Sequence, residues 1–267
     1  MNGSVKRLQE RFDEAIEKYG FFDFDFWDDP YDVERFYTAP DTDAALKKLK
    51  KTCRAGGLIT EGAAVTVDPA TGNERLVGRL SAEDGLLGCM VLTPDPEFSG
   101  RALQDYLDRM TGLGFAAIRL LPKRFYHSVS DSVCGEILSA AQERGLPLVI
   151  SHAETSWDAI DSLCSRRPGL NVLVEGGNAV KIIYHNRDYI ALLKKHRNLY
   201  LDTHALVWFS EIESLCSLVG AEKLIFGSNA VYDEPGTAIG AVAFARISEE
   251  EKLMIAHGNA MRLLKPD

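Results

Sequence analysis

Two carboxylates raise the first chemical question. Asp23 and Asp25 stand in the stretch YGFFDFDFWDDP, residues 19–30, set between phenylalanines. Aspartate is poor strand material, whereas the aromatics around it are good strand material. Two acids in such a run can hold a hard cation through oxygen. They can instead push one another's pKa values apart, so that a general acid stands beside a general base. They can also do no more than pair with a buried cation. Further polar groups close other apolar runs of the chain: Arg119 with Lys123 after it, Ser151-His152 with Glu154, Glu175, Asp202 with His204, and Asn229.

These groups need a frame that brings them together. Eight apolar runs recur along the chain: 21–26, 58–67, 86–94, 115–122, 146–152, 170–177, 198–204 and 223–229. Between them lie helical patterns of 10 to 15 residues that begin near Ser, Thr, Asp or a Gly turn and often stop at Gly. Strands alternating with helices imply βαβ units and a parallel sheet. Eight such units predict a closed (β/α)8 TIM barrel, an α/β fold with one helix ahead of strand one, spanning 1–267 as a single domain. The open doubly wound alternative lacks a G-x-G-x-x-G after its first strand.

In a barrel the polar strand ends gather at the C-terminal face. Strict alternation puts Asp23 and Asp25 on one face, pointing into the mouth, with Phe22, Phe24 and Phe26 against the helices. VDPATGNERLVG (67–78) carries two turn signals and reads as a hairpin-like excursion. The irregular segment 27–42 follows strand one and reads as a lid candidate. His127 lies after strand four and His185 after strand six, and each is either a ligand contact or a surface histidine. His196 and His257 read as helix-end residues, Trp27 as a pocket wall or plain packing, and Cys89 as a buried, inert thiol.

Composition narrows the partners. The chain has 267 residues, 46% hydrophobic and 26% charged, with a formal net charge of −9 and no basic block. That disfavours nucleic acid and anionic membranes as partners. No apolar run approaches the roughly 20 residues of a membrane span. Five unpatterned cysteines and no signal segment point to reduced thiols in the cytoplasm.

Several segments resemble the amidohydrolase-related family, the metal-dependent hydrolase superfamily. They are GFAAIRLLP, AAQERGLPLVISH, RPGLNVLVEGG, NLYLDTH, VGAEKLIFGSN and the ending ISEEEKLMIAHGNAMRLL. The resemblance implies a distorted (β/α)8 barrel, hydrolase or decarboxylase chemistry, a small-molecule substrate and a homo-oligomer. It also implies a metal held by His-x-His after strand one, His after strands five and six, and Asp after strand eight. Here those places read Asp23-Phe24-Asp25, Ser151-His152, Glu175-Gly176 and Asn229.

Three readings follow. In the first, Asp23, Asp25 and Glu175, with Asn229, hold Mg, Mn or Ca in place of Zn, and His152 or His204 is the base. In the second, a metal-free enzyme uses Asp23 and Asp25 as acid and base, and Arg119 or Lys123 binds an anionic substrate. Taken over the readings, the catalytic candidates are Asp23, Asp25, His152 and Asn229, and the substrate-binding candidates Arg119, Lys123, His127, Glu175 and His204. In the third, the barrel is a pseudoenzyme that binds or senses a small molecule.

Overall fold

The computed structural model describes residues 3–29, 42–175, 186–204 and 206–264. Eight strands form one parallel sheet in sequential order: β1 (Phe22–Asp28), β2 (Gly56–Glu61), β3 (Leu86–Val91), β4 (Phe115–Leu120), β5 (Leu148–Ser151), β6 (Val172–Glu175), β7 (Leu199–Asp202) and β8 (Leu224–Ile225). The sheet closes on itself. Phe24 N donates to Phe226 O at 2.9 Å and Trp27 N to Ala230 O at 2.7 Å. All eight apolar runs of the sequence hold a strand, and the helix Gly3–Tyr19 precedes the first. The fold is a (β/α)8 barrel. No described helix is long and apolar enough to cross a membrane.

Two apolar layers hold it together. Inside the barrel, Phe22, Phe24, Leu58, Cys89, Ala117, Val149, Leu173 and Ile225 pack against one another, and Ala260, Leu263 and Leu264 of the final helix Asn259–Leu264 plug one end. Outside it, Phe21, Phe26, Ile59, Met90, Ile118, Leu148 and Ile150 face the helices. Helix ends follow the sequence. Ser156 caps Trp157–Arg166 by accepting from Ala159 N, and Ser248 and Glu251 form a reciprocal capping box. Gly145 turns left-handed after Asp131–Arg144, at φ 67°.

The face assignment on β1 is corrected. Phe22 and Phe24 lie inside the barrel, and only Phe26 faces the helices. The β1–β2 register shifts between Asp23 and Phe26. That irregularity breaks strict alternation, and so Asp25 enters the mouth while Asp23 does not share its face.

Two further expectations change. The second run ends as a strand at Glu61, and Ala63–Thr66 form a short helix. Residues 67–78 are no hairpin, because Pro69–Ala82 is a helix. Its Asp68-Pro69 start is a cap rather than a turn. Asp68 accepts from Thr71 N at 2.8 Å, and Pro69 takes the first position, where no N–H is needed. Gly72 allows close approach, since a Cβ there would overlap the backbone of Ala64. Asn73 then bonds the β3 edge, with Nδ2 donating to Val91 O at 2.8 Å and Val91 N donating back at 2.9 Å. We expect Gly72→Ala to destabilise the barrel by about 1–3 kcal/mol or more through overpacking, read as a lower urea midpoint. The lid candidate falls largely within 30–41 and His185 within 176–185, so both lie outside the described residues.

Candidate functional site

Arg119 is the hub. It sits on β4 two residues beyond the inward Ala117, so the strand aims its side chain into the mouth above the apolar plug. Its Nη1 lies 2.5 Å from Glu175 at the end of β6. Its Nη2 lies 3.5 Å from Asp25 Oδ1, and its Nε donates to Thr60 Oγ1 at 3.0 Å. The indole of Trp27 covers the guanidinium, 4.4 Å from ring centroid to Cζ. One cation therefore ties β1, β2, β4 and β6 together.

His204 joins the same cluster from the far side. Its Nδ1 is 2.7 Å from Asp202 Oδ1 and 3.2 Å from Asp25 Oδ2, and its backbone N donates to Asp202 Oδ1 at 2.7 Å. Asp202 thus pins both the backbone and the ring of His204. Gly227 makes room for it, since a Cβ there would overlap Asp202 Oδ2. Every member of the cluster is buried, from 0% exposed at Asp202 to 7% at His204.

The electrostatics separate the carboxyls. Burial raises Asp25, but hydrogen bonding and charge from His204, with Arg119, outweigh it and hold the group down at about 2. Burial raises Glu175 well above its ordinary range, and the neighbouring Asp25 charge adds to this against the pull of Arg119. Burial also raises Asp202, with His204 opposing. Burial lowers His204, yet Asp202 and Asp25 lift it well above its usual value. Three carboxyls face one guanidinium and one imidazole. Fully ionised, the cluster carries one surplus negative charge, and a buried site relieves that by holding a proton.

The sequence model of the amidohydrolase family matches residues 26–265. The chain belongs to this family. No functionally curated protein matches the chain. Solved structures similar to this amidohydrolase barrel include 2,6-dihydroxybenzoate decarboxylase from Rhizobium, 14% identical with a TM-score of 0.68 over 92% of this chain and 98% of that one. Another is 5-carboxyvanillate decarboxylase from Novosphingobium aromaticivorans, complexed with manganese and a nitrobenzoic acid (15% identity, TM-score 0.65, 84% of this chain and 80% of that one). A third is a TIM-barrel protein of unassigned function from Bordetella bronchiseptica, 16% identical with a TM-score of 0.65 over 92% and 98%.

The other expected site residues lie apart from this cluster. Asp23 is bonded to the β8 end. Its Oδ1 accepts from Ser228 N at 2.9 Å and Asp25 N at 3.1 Å, and its Oδ2 accepts from Ser228 Oγ. His152 has its Nδ1 3.3 Å from Glu175 O and stacks on Trp157. Asn229, at φ 53°, donates through Nδ2 to Asp233 at 2.6 Å. Lys123 is exposed on the loop after β4. His127, in the same loop, stands 3.6 Å from Sγ of Cys134 in the helix Asp131–Arg144. Cys89 is sealed in the barrel interior, where burial pushes its thiol up to about 11. His196 pairs with Asp161, and His257 with the carbonyl of Tyr19.

Among the described residues, the group that gathers three ligand-type atoms within 4.8 Å is Asp25, Asp202 and His204, rather than Asp23, Asp25 and Glu175. The expected oxygen set is not assembled, because Ser228 engages Asp23 and Arg119 clamps Glu175. Asp202, Thr60 and Trp27 are the partners sequence reasoning undervalued. The signal for Asp202 was its place two residues before His204 at a strand end.

Proposed function

We propose that this amidohydrolase-family barrel carries out metal-independent acid–base chemistry on a small carboxylated molecule, of hydrolase or decarboxylase type. One observation carries the reading: three buried carboxyls, Asp25, Glu175 and Asp202, share one guanidinium and one imidazole, an arrangement that lowers Asp25 and raises Glu175 and Asp202. Carboxyls whose environments drive their pKa values apart supply an acid and a base in one site.

The buried cation beside this donor set argues against a divalent ion. The imidazole Nδ1 lies between two carboxylate oxygens, 2.7 Å from Asp202 and 3.2 Å from Asp25. Positive charge is already supplied by a buried guanidinium in contact with Asp25. A divalent ion beside it would meet strong repulsion at low dielectric.

The roles follow. Arg119 binds the substrate carboxylate, which displaces Glu175 from the fork of the guanidinium. His204 carries the proton, oriented by Asp202 and balanced by Asp25. Glu175 holds the surplus proton. Lys123 and His127, on the β4 loop, draw the anion to the mouth. Asp23, Asn229 and His152 brace the strand ends. The decarboxylases among the similar structures act on carboxylated aromatics by name, and this substrate class suits Arg119.

The complete burial of the cluster favours a second reading, an inactive barrel in which the network is a structural plug under a binding site. A His204→Asn variant separates the two. On a panel of lactones, carboxylated amides and hydroxybenzoates, the enzyme reading expects turnover to fall by about 10²–10⁴-fold with ligand binding retained. No turnover by the parent protein on any of them favours the plug.

A further inference from the structure

The outward faces of β1 and β2 end in a second acid pair. Asp28 and Glu61 are register partners, and so are Trp27 and Thr60 one residue earlier. Trp27 and Thr60 turn to Arg119, one by its ring and the other by its hydroxyl. Alternation sends Asp28 and Glu61 the other way, towards the helix Pro69–Ala82. There Arg79 Nε donates to Asp28 Oδ2 at 3.0 Å, and Arg75 lies 3.8 Å from Glu61 Oε1.

Both acids are buried, each 4% exposed. Glu61 Oε1 accepts from Ala63 N at 3.2 Å. Asp28 Oδ1 is buried without a hydrogen-bond partner among the described residues, and the strand register sets Glu61 beside Asp28 on the same face. Two carboxylates buried side by side on adjacent strands are costly unless a proton or a cation offsets them. The charged groups around the pair are Arg75 and Arg79 from the helix, Asp29 from the strand end, and Asp43, which holds the other side of Arg79 at 2.7 Å. With two guanidiniums already present, a proton fits where a metal ion would be repelled.

We propose that Asp28 and Glu61 share one proton, and that this pair positions Trp27 and Thr60 against Arg119, so that losing the proton loosens the barrel mouth. The inference stands whether or not the mouth turns over a substrate. Burial raises Glu61 to about 7, with Ala63 N opposing and the Asp28 charge reinforcing the rise. Burial also raises Asp28, against Arg79.

The test follows two NMR signals of the full chain from pH 5 to 8.5: the Glu61 side-chain carboxyl and the Trp27 indole N–H, the latter assigned with Trp27→Phe. We expect both to titrate with one midpoint near 7, and Glu61→Gln, which keeps a neutral donor at every pH, to leave Trp27 flat. Should Glu61→Gln fail to fold, Asp28→Asn, whose amide can donate to Glu61, is expected to give the same flat response and a lower Glu61 midpoint, because the Asp28 charge is gone while burial remains. A Glu61 carboxyl that already titrates at about 4.3 in the parent protein overturns the proposal. So does a Trp27 signal that stays still in the parent, or one that still moves in the variants.

Discussion

Replacing Arg119 with methionine is expected to destabilise the protein by about 3–5 kcal/mol, the cost of breaking a buried ion pair by removing one partner. The reason is local. Arg119 is 1% exposed and touches Glu175, Asp25, Thr60 and the face of Trp27. Methionine matches its stem but leaves Asp25 and Glu175 buried with less counter-charge. Lysine should fare little better, because one ammonium cannot reach three elements as a planar fork does. Urea unfolding at pH 7 reads the loss. The loss should shrink as pH falls, since protonating the carboxyls removes the uncompensated charge. An Arg119→Met protein as stable as the parent at pH 7 would show that the hub carries little of the barrel mouth's stability.

Asp23→Asn should behave in the opposite way, and its effect should depend on pH. Burial raises Asp23 to about 7 from an ordinary 3.8, against hydrogen bonds from Ser228 and with the Asp25 charge adding to the rise. A carboxyl whose folded pKa is raised binds more protons folded than unfolded. Stability is then highest below about pH 4 and falls as pH climbs to about 7, by about 1.4 kcal/mol per pH unit. Asparagine keeps the neutral pattern. Its Oδ1 can accept from Ser228 N and Asp25 N as now, and its amide can donate to Ser228 Oγ once the hydroxyl, which now donates to Asp23 Oδ2, rotates away. From pH 5 to pH 8 the variant should therefore gain about 2–3 kcal/mol relative to the parent. A difference that stays constant over that range would mean that Asp23 is ionised in the folded protein.

Fold and site were legible to different depths. The eight strand positions follow from apolar runs spaced by helical patterns, which is a long-range, repeated signal. The helix at Pro69–Ala82 was hidden because Asp-Pro and Gly-Asn signal turns in isolation. Only the packing of Gly72 on Ala64 and of Asn73 on β3 reveals them as helix residues. Period-2 alternation likewise fails at Asp23–Phe26, because one register shift on β1 redirects every side chain after it. Asp25, Arg119, Glu175 and His204 were readable as polar residues at strand ends. Their grouping was not, because it depends on which strand ends face one another across the mouth. His152 and Asn229 show the limit, since both sit at strand ends yet bond to their own surroundings.

Metal content measured together with turnover tests the central claim most directly. Protein purified without chelator is analysed for Mg, Mn, Ca and Zn, then assayed before and after exhaustive chelation. Acid–base chemistry centred on Arg119, His204 and Asp25 predicts less than about 0.1 metal per chain and unchanged turnover, because the guanidinium already occupies the electrostatic place of the ion. Stoichiometric metal, with turnover lost on chelation and restored by Mn or Zn, would contradict it.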